Sequence, residues 1–538
     1  VVEGDVEVSE GIDYARFYTT TMKKFAALHD VDITSKGTIL VISPWNFPCA
    51  IPIGGIVAGL AGGNTVILKP ATVAAPVAWL FAKAFWDAGV PKEALQIIIT
   101  DREALKELTS APAIRHIILT GGTDTAQSIA RTNPSTPLSA ETGGKNAIIL
   151  TASGDRDHAI MNIVASAFGN AGQKCSACSL LLVERSVYED KNFQDKLKDA
   201  ATSIKVGSVW EAGNVVGPMI TNRNEKLLQA LTLEPGESWL VPPKFIDEKQ
   251  YILAPTVKWG VKPGSYSFRT ELFGPMLSVV CINNLQQGIE LVNSLDYGLT
   301  SGLQSLDENE QKLWKNSILA GNLYINRGIT GAIVNRQPFG GMKLSAFGGG
   351  VKAGGPNYCA CLVKITDKPE SNTDYKQSYP HVYEEEFAHA RDINKLYGEQ
   401  NAFRYLPLKN MVLRLFPGDS NEEAEMIALA AKLCHTPLTI SFDPNDDRTS
   451  ALSSTGCTLK KETSDEFLKT MRTYERIRTC DTDIPMEMYE EAARRNKYIA
   501  TAKPVKNGRV ELIHYIKEQS ISFEYHRYGS ILDVPPVE

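Results

Sequence analysis

GTILVISPWNFPCAIPIGGIVAGLAGGNTVILKP, residues 37–70, sets two apolar runs around a segment long enough for a helix. GTILVIS (37–43) and NTVILKP (64–70) are rich in β-branched residues and do not alternate with polar ones, as expected of strands covered on both faces. IPIGGIVAGLAGG (51–63) lies between them and reads as a buried helix. The same alternation continues outward. AAPVAWLFAKAFWDAG (74–89) has helical periodicity ended by Gly89, and ALQIIIT (94–100) is a third strand. REALKELTSAP (102–112) and IRHIILTG (114–121) add a helix and a strand. Strands joined by crossover helices imply a parallel, doubly wound α/β sheet, which takes ligands at the carboxyl ends of its strands. No G-x-G-x-x-G is present. LTGGTDTAQ (119–127) comes nearest, with glycines where a backbone can approach phosphate at a helix start, although a Gly-Gly turn alone is a weak signal.

Further along, the α/β pattern resumes over about 143–335 as a second lobe. QPFGGMKLSAFGGGVKAGGPN (337–357) is glycine-dense, the composition of a loop lining a site or a hinge. DKPESNTDYKQ (367–377) reads as a polar linker. NMVLRLF (410–416), NEEAEMIALAAKLC (421–434) and PLTISF (437–442) then spell another strand–helix–strand unit. The expected division is a cofactor lobe at 1–142, a second lobe carrying Cys175 at 143–335, a return segment and linker at 336–377, and a further α/β domain at 378–538.

The composition excludes several classes. A chain of 538 residues with 43% hydrophobic and 22% charged content matches a soluble multidomain protein. Net charge of −6 and a pI near 5.9 give no reason to expect nucleic acid or an anionic membrane. The longest apolar run, 50–63, is too short to span a bilayer and carries Pro52. No secretory leader opens the chain, but it begins at Val1 rather than Met, so a preceding segment stays open. Nine cysteines are too sparse for a disulfide scaffold and cannot all pair, which points to a reducing compartment such as the cytoplasm. Within FGNAGQKCSACSLLLVE (168–184), Cys175 and Cys178 have C-x-x-C spacing. A zinc site would need a second pair; CAC (359–361) has the wrong spacing and CH (434–435) stands alone, so no metal is expected. Cys178 runs straight into a strand, which does not suit thiol exchange and reads as a small core residue.

SPWNFP (43–48), ILKPA (67–71), AETGGKNA (140–147), GQKCSA (172–177), TELFGP (270–275) and QPFGG (337–341), in this order, resemble the aldehyde dehydrogenase superfamily. The resemblance covers roughly residues 8–366. It implies that family's fold, with a Rossmann-type cofactor lobe and an α/β catalytic lobe, and a nucleophile at Cys175. Thiolate addition turns a planar carbonyl into a tetrahedral hydride donor, which is the chemistry an aldehyde oxidation needs. The resemblance assigns oxyanion donation to the Asn46 amide and the Cys175 backbone N–H, and general base work on the thioester to Glu141. It places Ser43, Trp45, Lys69, Thr72, Gly122, Glu271 and Phe273 on the cofactor, with Glu271 and Lys69 on its two riboses and Phe273 beside the nicotinamide. Two positions depart from the common pattern. Thr72 stands where many members carry a glutamate that would repel a 2′-phosphate, and its hydroxyl would not, so NADP stays open beside the expected NAD. Gly122 stands where many carry serine and can offer only its backbone N–H.

LYINR (323–327) and GITGAIVNRQPFGG (328–341) carry a narrower resemblance, to Δ1-pyrroline-5-carboxylate dehydrogenases and the dehydrogenase half of bifunctional proline utilisation A proteins. It implies NAD-dependent oxidation of glutamate γ-semialdehyde to glutamate in proline catabolism. Gly331 and Ala332 would bind the α-carboxylate through backbone N–H groups, Lys174 would supply countercharge, Glu10 would face the α-ammonium, and Phe47 and Phe339 would flank the aliphatic chain. Glu10 and Lys174 read equally as surface charges, Glu10 as an i,i+3 or i,i+4 partner on a helix. Residues from about 378, including YGEQNAFRYLPL (397–408) and YHRYG (525–529), resemble the dinucleotide-fold-like C-terminal domain of some proline utilisation A proteins, which is expected to be non-catalytic and to assist association into a homo-oligomer. YHRYG in an acidic chain favours packing over nucleic acid. A proline dehydrogenase domain upstream of Val1 stays open, and nothing within the chain calls for a flavin. The competing readings are oxidation of another acidic semialdehyde, such as succinate semialdehyde, and a weakly active scaffold fragment.

Overall fold

The computed structural model describes residues 2–221, 224–247, 249 and 251–531. Three sheets organise them. The first has six strands in the order Ala346–Phe347, Leu138–Glu141, Ile114–Thr120, Thr38–Ser43, Thr65–Pro70 and Leu95–Ile97. All neighbours are parallel except the edge strand Ala346–Phe347, which runs antiparallel to Leu138–Glu141. Thr38–Ser43 and Thr65–Pro70 pair across the buried helix Ala50–Ala61, as the apolar runs require. In the ALQIIIT segment only Leu95–Ile97 forms a strand; Ile99 beyond it is exposed, because the strand has no partner past Leu68.

The second sheet has nine strands: Glu399–Pro407, Ile516–Glu524, Asn322–Ile325, Thr300–Gln304, Asn146–Leu150, Cys178–Glu184, Met276–Ile282, Thr256–Trp259 and Ser238–Val241. It is parallel apart from its two outermost strands. Asn146–Leu150 and most of Cys178–Glu184 are buried, so the sheet is packed on both faces. Two of its strands come from beyond residue 378. The third sheet is all parallel, in the order Thr458–Lys461, Leu438–Phe442, Met411–Arg414, Arg476–Arg478 and Tyr498–Ala500.

The segment read as a linker is less free than its composition suggests. Val363–Asp367 pairs antiparallel with Val31–Ser35, and a helix, Tyr375–Val382, begins within the stretch with Asp374 as its N-cap. Of YHRYG only Tyr525 is buried, and His526, Tyr528 and Gly529 are exposed; Arg527 pairs with Asp155, and the Tyr528 hydroxyl lies 3.3 Å from the same carboxylate. Among the described residues no helix is long and apolar enough to cross a membrane.

Candidate active site

Each quoted motif ends on another motif. FGNAGQKC leaves the helix Arg156–Phe168 through Asn170, Ala171 and Gly172, all in the left-handed region, with φ of +52°, +53° and +68°. A Cβ on Gly172 would lie 2.2 Å from the Gly274 carbonyl oxygen, so glycine is required by conformation and by space. That tight passage delivers Cys175 to a loop before the strand Cys178–Glu184. The Asn146 amide then fixes the loop, donating to Cys175 O at 2.6 Å and Ala177 O at 3.0 Å, while its oxygen accepts from Thr300 N.

ETGG meets TELFGP. Glu271 Oε1 accepts the Gly144 N–H at 2.7 Å, and a Cβ on Gly143 would fall 2.4 Å from Glu271 Oε2. Phe273 follows with φ of +50°, unusual for a bulky residue, and the Asn224 amide holds this loop by donating to Leu272 O. QPFGG meets Glu141, whose Oε2 accepts the Gly341 N–H at 2.9 Å. SPWNFP meets the cysteine loop: Asn46 Nδ2 donates to Gln173 O at 3.0 Å, which uses one of its two N–H groups.

These contacts gather around one cavity of about 310 Å³. Its lining includes Trp45, Asn46, Gly122, Glu141, Cys175, Glu271, Phe273 and Phe339. Trp45 and Phe273 meet edge to face at 5.7 Å. The remaining residues expected at the site lie outside that lining. Ser43 ends the strand Thr38–Ser43 and is buried, Lys69 is half-buried near the end of Thr65–Pro70, and Thr72 is exposed beyond it. Phe47 and Ala332 are half-buried, while Gly331, with φ of +80°, is exposed and has open space where a Cβ would point. Glu10 lies on the helix Val2–Ala26. Lys174 pairs with Glu3 of that same helix at 3.1 Å, so its charge is already met within the chain. Tyr14, Tyr18 and Tyr358 also wall the cavity, Tyr18 and Tyr358 stacked at 5.5 Å. Nothing in the local sequence marks these tyrosines except the i, i+4 spacing of the first two.

Electrostatically the cavity is lined by buried acidic groups. Burial pushes the Cys175 thiol up to about 12, and Glu271 and Glu141 push it further in the same direction. Burial also pushes Glu141 up to about 8, opposed by Lys352 and by the Gly341 N–H. Glu271 is raised by burial against the Gly144 N–H and two lysines. Glu10 is pushed up to about 7 by burial, then by Glu7 and Asp13.

The same cavity suits a dinucleotide. Gly121 and Gly122 line it at the start of the helix Thr123–Thr132, whose Gly122 cap leaves the first N–H groups without a side-chain partner. Just outside the lining, the buried Ser43 hydroxyl at a strand's carboxyl end has no hydrogen-bond partner among the described residues, and within it the Glu271 side chain offers an acceptor for ribose hydroxyls.

Comparison with known proteins gives the following. The model of the aldehyde dehydrogenase family matches residues 1–366. The 1-pyrroline-5-carboxylate dehydrogenase of Geobacillus sp. (strain WCH70) is 34% identical over 379 residues, covering 66% of this chain and 72% of that protein. Its namesake from Bacillus subtilis (strain 168) is 32% identical over 377 residues, with the same coverage. Among solved structures, Proline Utilization A from Corynebacterium freiburgense is similar over 99% of this chain at 37% identity and a TM-score of 0.87. The chain spans 54% of the length of that protein. A 1-pyrroline-5-carboxylate dehydrogenase from Thermus with bound NAD aligns at 31% identity and a TM-score of 0.63, over 68% of this chain and 74% of its own.

Proposed function

The chain belongs to the aldehyde dehydrogenase family, and from that premise we propose that it oxidises glutamate γ-semialdehyde, the opened form of Δ1-pyrroline-5-carboxylate, to glutamate with NAD as acceptor. The observation that carries this reading is the convergence of Cys175, Asn46, Glu141 and Glu271 on one cavity. The relatives named for pyrroline-5-carboxylate supply the substrate class.

In this reading Cys175 Sγ gives its proton to a water molecule, which carries it to bulk solvent, and bonds to the aldehyde carbon. The negative charge moves to the former carbonyl oxygen, where the free Asn46 N–H and the Cys175 backbone N–H receive it. Bound NAD supplies the acceptor for the hydride that then leaves the tetrahedral carbon. Ser43, Trp45, Gly122, Glu271 and Phe273 hold it, with Lys69 and Thr72 at its adenosine end. A thioester on Cys175 results. Glu141 removes a proton from water as it attacks the thioester carbon, and the carbon–sulfur bond breaks to release the acid and the thiol. Glu10 faces the substrate ammonium, Gly331 and Ala332 its carboxylate, and Phe47 and Phe339 its chain. Lys174 contributes only what its pairing with Glu3 leaves.

The test is to supply NAD and pyrroline-5-carboxylate and follow the absorbance of reduced cofactor. Cys175→Ala is expected to abolish the signal; surviving turnover would refute the nucleophile. Parallel assays with NADP and with succinate semialdehyde settle cofactor and substrate, and a preference for either replaces the corresponding half of the reading. Homo-oligomerisation belongs to the same proposal and is read from the mass in solution.

A further inference from the structure

The glycine-dense segment after QPFGG holds one buried cation that the chemistry above leaves unused. Lys352 is 1% exposed, and its ammonium donates to Asn322 Oδ1 at 3.0 Å and to the Gly340 carbonyl. Glu141 and Lys352 crowd the same side of Gly340: a Cβ there would lie 2.9 Å from Glu141 Oε1 and 3.2 Å from Lys352 Cγ. The backbone N–H of Lys352 donates to Glu518 Oε2 at 2.6 Å, and Glu518 Oε1 accepts from Asn357 Nδ2 at 2.7 Å. Glu518 is itself 4% exposed and lies on the strand Ile516–Glu524, far along the chain from every motif of the site. Strand periodicity puts Glu518, Ser520 and Ser522 on one face. All three grip the segment around QPFGG: Ser520 Oγ donates to Pro338 O at 2.6 Å, and Ser522 Oγ accepts from Gln337 Nε2 at 3.4 Å.

Building on the hydrolytic role proposed for Glu141, we propose that Lys352 and Glu518 are positioning residues of the thioester hydrolysis: the Lys352 ammonium holds Glu141 as the carboxylate a base must be, and Glu518 holds the proton on Lys352.

The balance of charges gives the sign. Burial raises Glu141 to about 8 and lowers Lys352 to about 8, each opposed by the other; Glu518 also supports the lysine. Two buried neighbours that oppose each other in this way titrate as a unit, and between its two limits the pair holds a single proton. Either Lys352 keeps that proton and Glu141 is a base, or Glu141 keeps it and the site is idle. Glu518, raised to about 7 by burial, adds negative charge on the lysine's side and tips the pair toward the working state. The other groups facing Glu141 are Cys175, Tyr14 and Tyr358, all raised and therefore neutral in this range. Glu518 also faces Arg509, Tyr405 and Cys361. Removing Glu518's charge leaves the proton on Glu141 until a second one is lost at higher pH.

The experiment uses the full chain with NAD and pyrroline-5-carboxylate, recording kcat against pH and the initial burst of reduced cofactor. Lys352→Met is expected to move the acid limb of kcat upward by about one unit or more and to cut turnover near neutrality roughly tenfold, because the base loses its countercharge. The burst, which reports hydride transfer before hydrolysis, is expected to persist near one equivalent per chain. Glu518→Gln keeps the residue's size and moves the limb the same way by a smaller amount, with KM unchanged. Lys352→Arg keeps the charge and leaves the limb where the parent has it, whatever its absolute rate. A parent-like limb in Lys352→Met and Glu518→Gln overturns the proposal, as does loss of burst and turnover in parallel, which marks a merely structural role. If the unmodified chain reduces no NAD with this substrate, the function proposed above fails first and this inference with it.

Discussion

Gly172 sits three residues before the candidate nucleophile, in a backbone conformation that costs other residues about 1 kcal/mol and against a carbonyl that leaves no room for a methyl group. Gly172→Ala therefore has to push apart the two loops that present Cys175 and Glu271. Displacement of a reacting group by about 1 Å costs on the order of a hundredfold in rate, so kcat/KM is expected to fall by about that factor, with a lowered melting temperature. A variant with the parent's kcat/KM would show that the approach to Gly274 does not set the position of the sulfur. Such positions explain why parts of the site were legible early. A glycine before the cysteine, a double glycine after Glu141 and another after Phe339 are each demanded by a carboxylate or carbonyl lying against them. Tyr14, Tyr18, Asn146 and Lys352 carry no such mark. Each is placed by partners distant in sequence, and a tyrosine or lysine in a helix or loop reads as core or surface until those partners are known.

At the scale of elements, the helix Val2–Ala26 combines packing with charge. It puts Glu7 and Glu10 one turn apart, both pushed up to about 7, chiefly by burial. A carboxyl whose folded value is raised binds its proton more tightly in the native state. The docked helix is therefore most stable at low pH and loses that contribution as pH rises from the ordinary 4.5 through about 7. Amide exchange in the first three turns is expected to quicken as pH rises from about 4.5 to about 7, beyond the intrinsic change measured on the central sheet. Glu7→Gln combined with Glu10→Gln should remove the excess; an excess that survives both changes would place its origin elsewhere. The strand Thr38–Ser43 was readable because burial on both faces leaves an unbroken apolar run, whereas Thr65–Pro70 alternates buried and half-buried positions behind an exposed Thr65. Leu95–Ile97 came out shorter than its apolar run, since a strand lasts only while it has a neighbour to pair with.

For the molecule as a whole, the consequential pairing is that of Asn322–Ile325 with Ile516–Glu524, partners separated by about 200 residues. No local pattern encodes a contact at that range, and for this reason the nine-stranded sheet could not be drawn from the sequence. A chain ended at residue 377 would strip two strands from that sheet and expose the edge of Asn322–Ile325. It is expected to aggregate and to lose turnover, because an uncovered flat edge invites pairing with other copies. Recovery of a soluble, fully active product of that length by size-exclusion chromatography and assay would contradict this account.

The placement of Ile516–Glu524 also bears on synthesis. A ribosome works from one end of a chain to the other, so the pocket that houses the cysteine is framed early but stays unlatched until Ile516–Glu524 has emerged. A copy abandoned before that strand would keep a raw border along Asn322–Ile325, the kind of surface that chaperones and proteases act on.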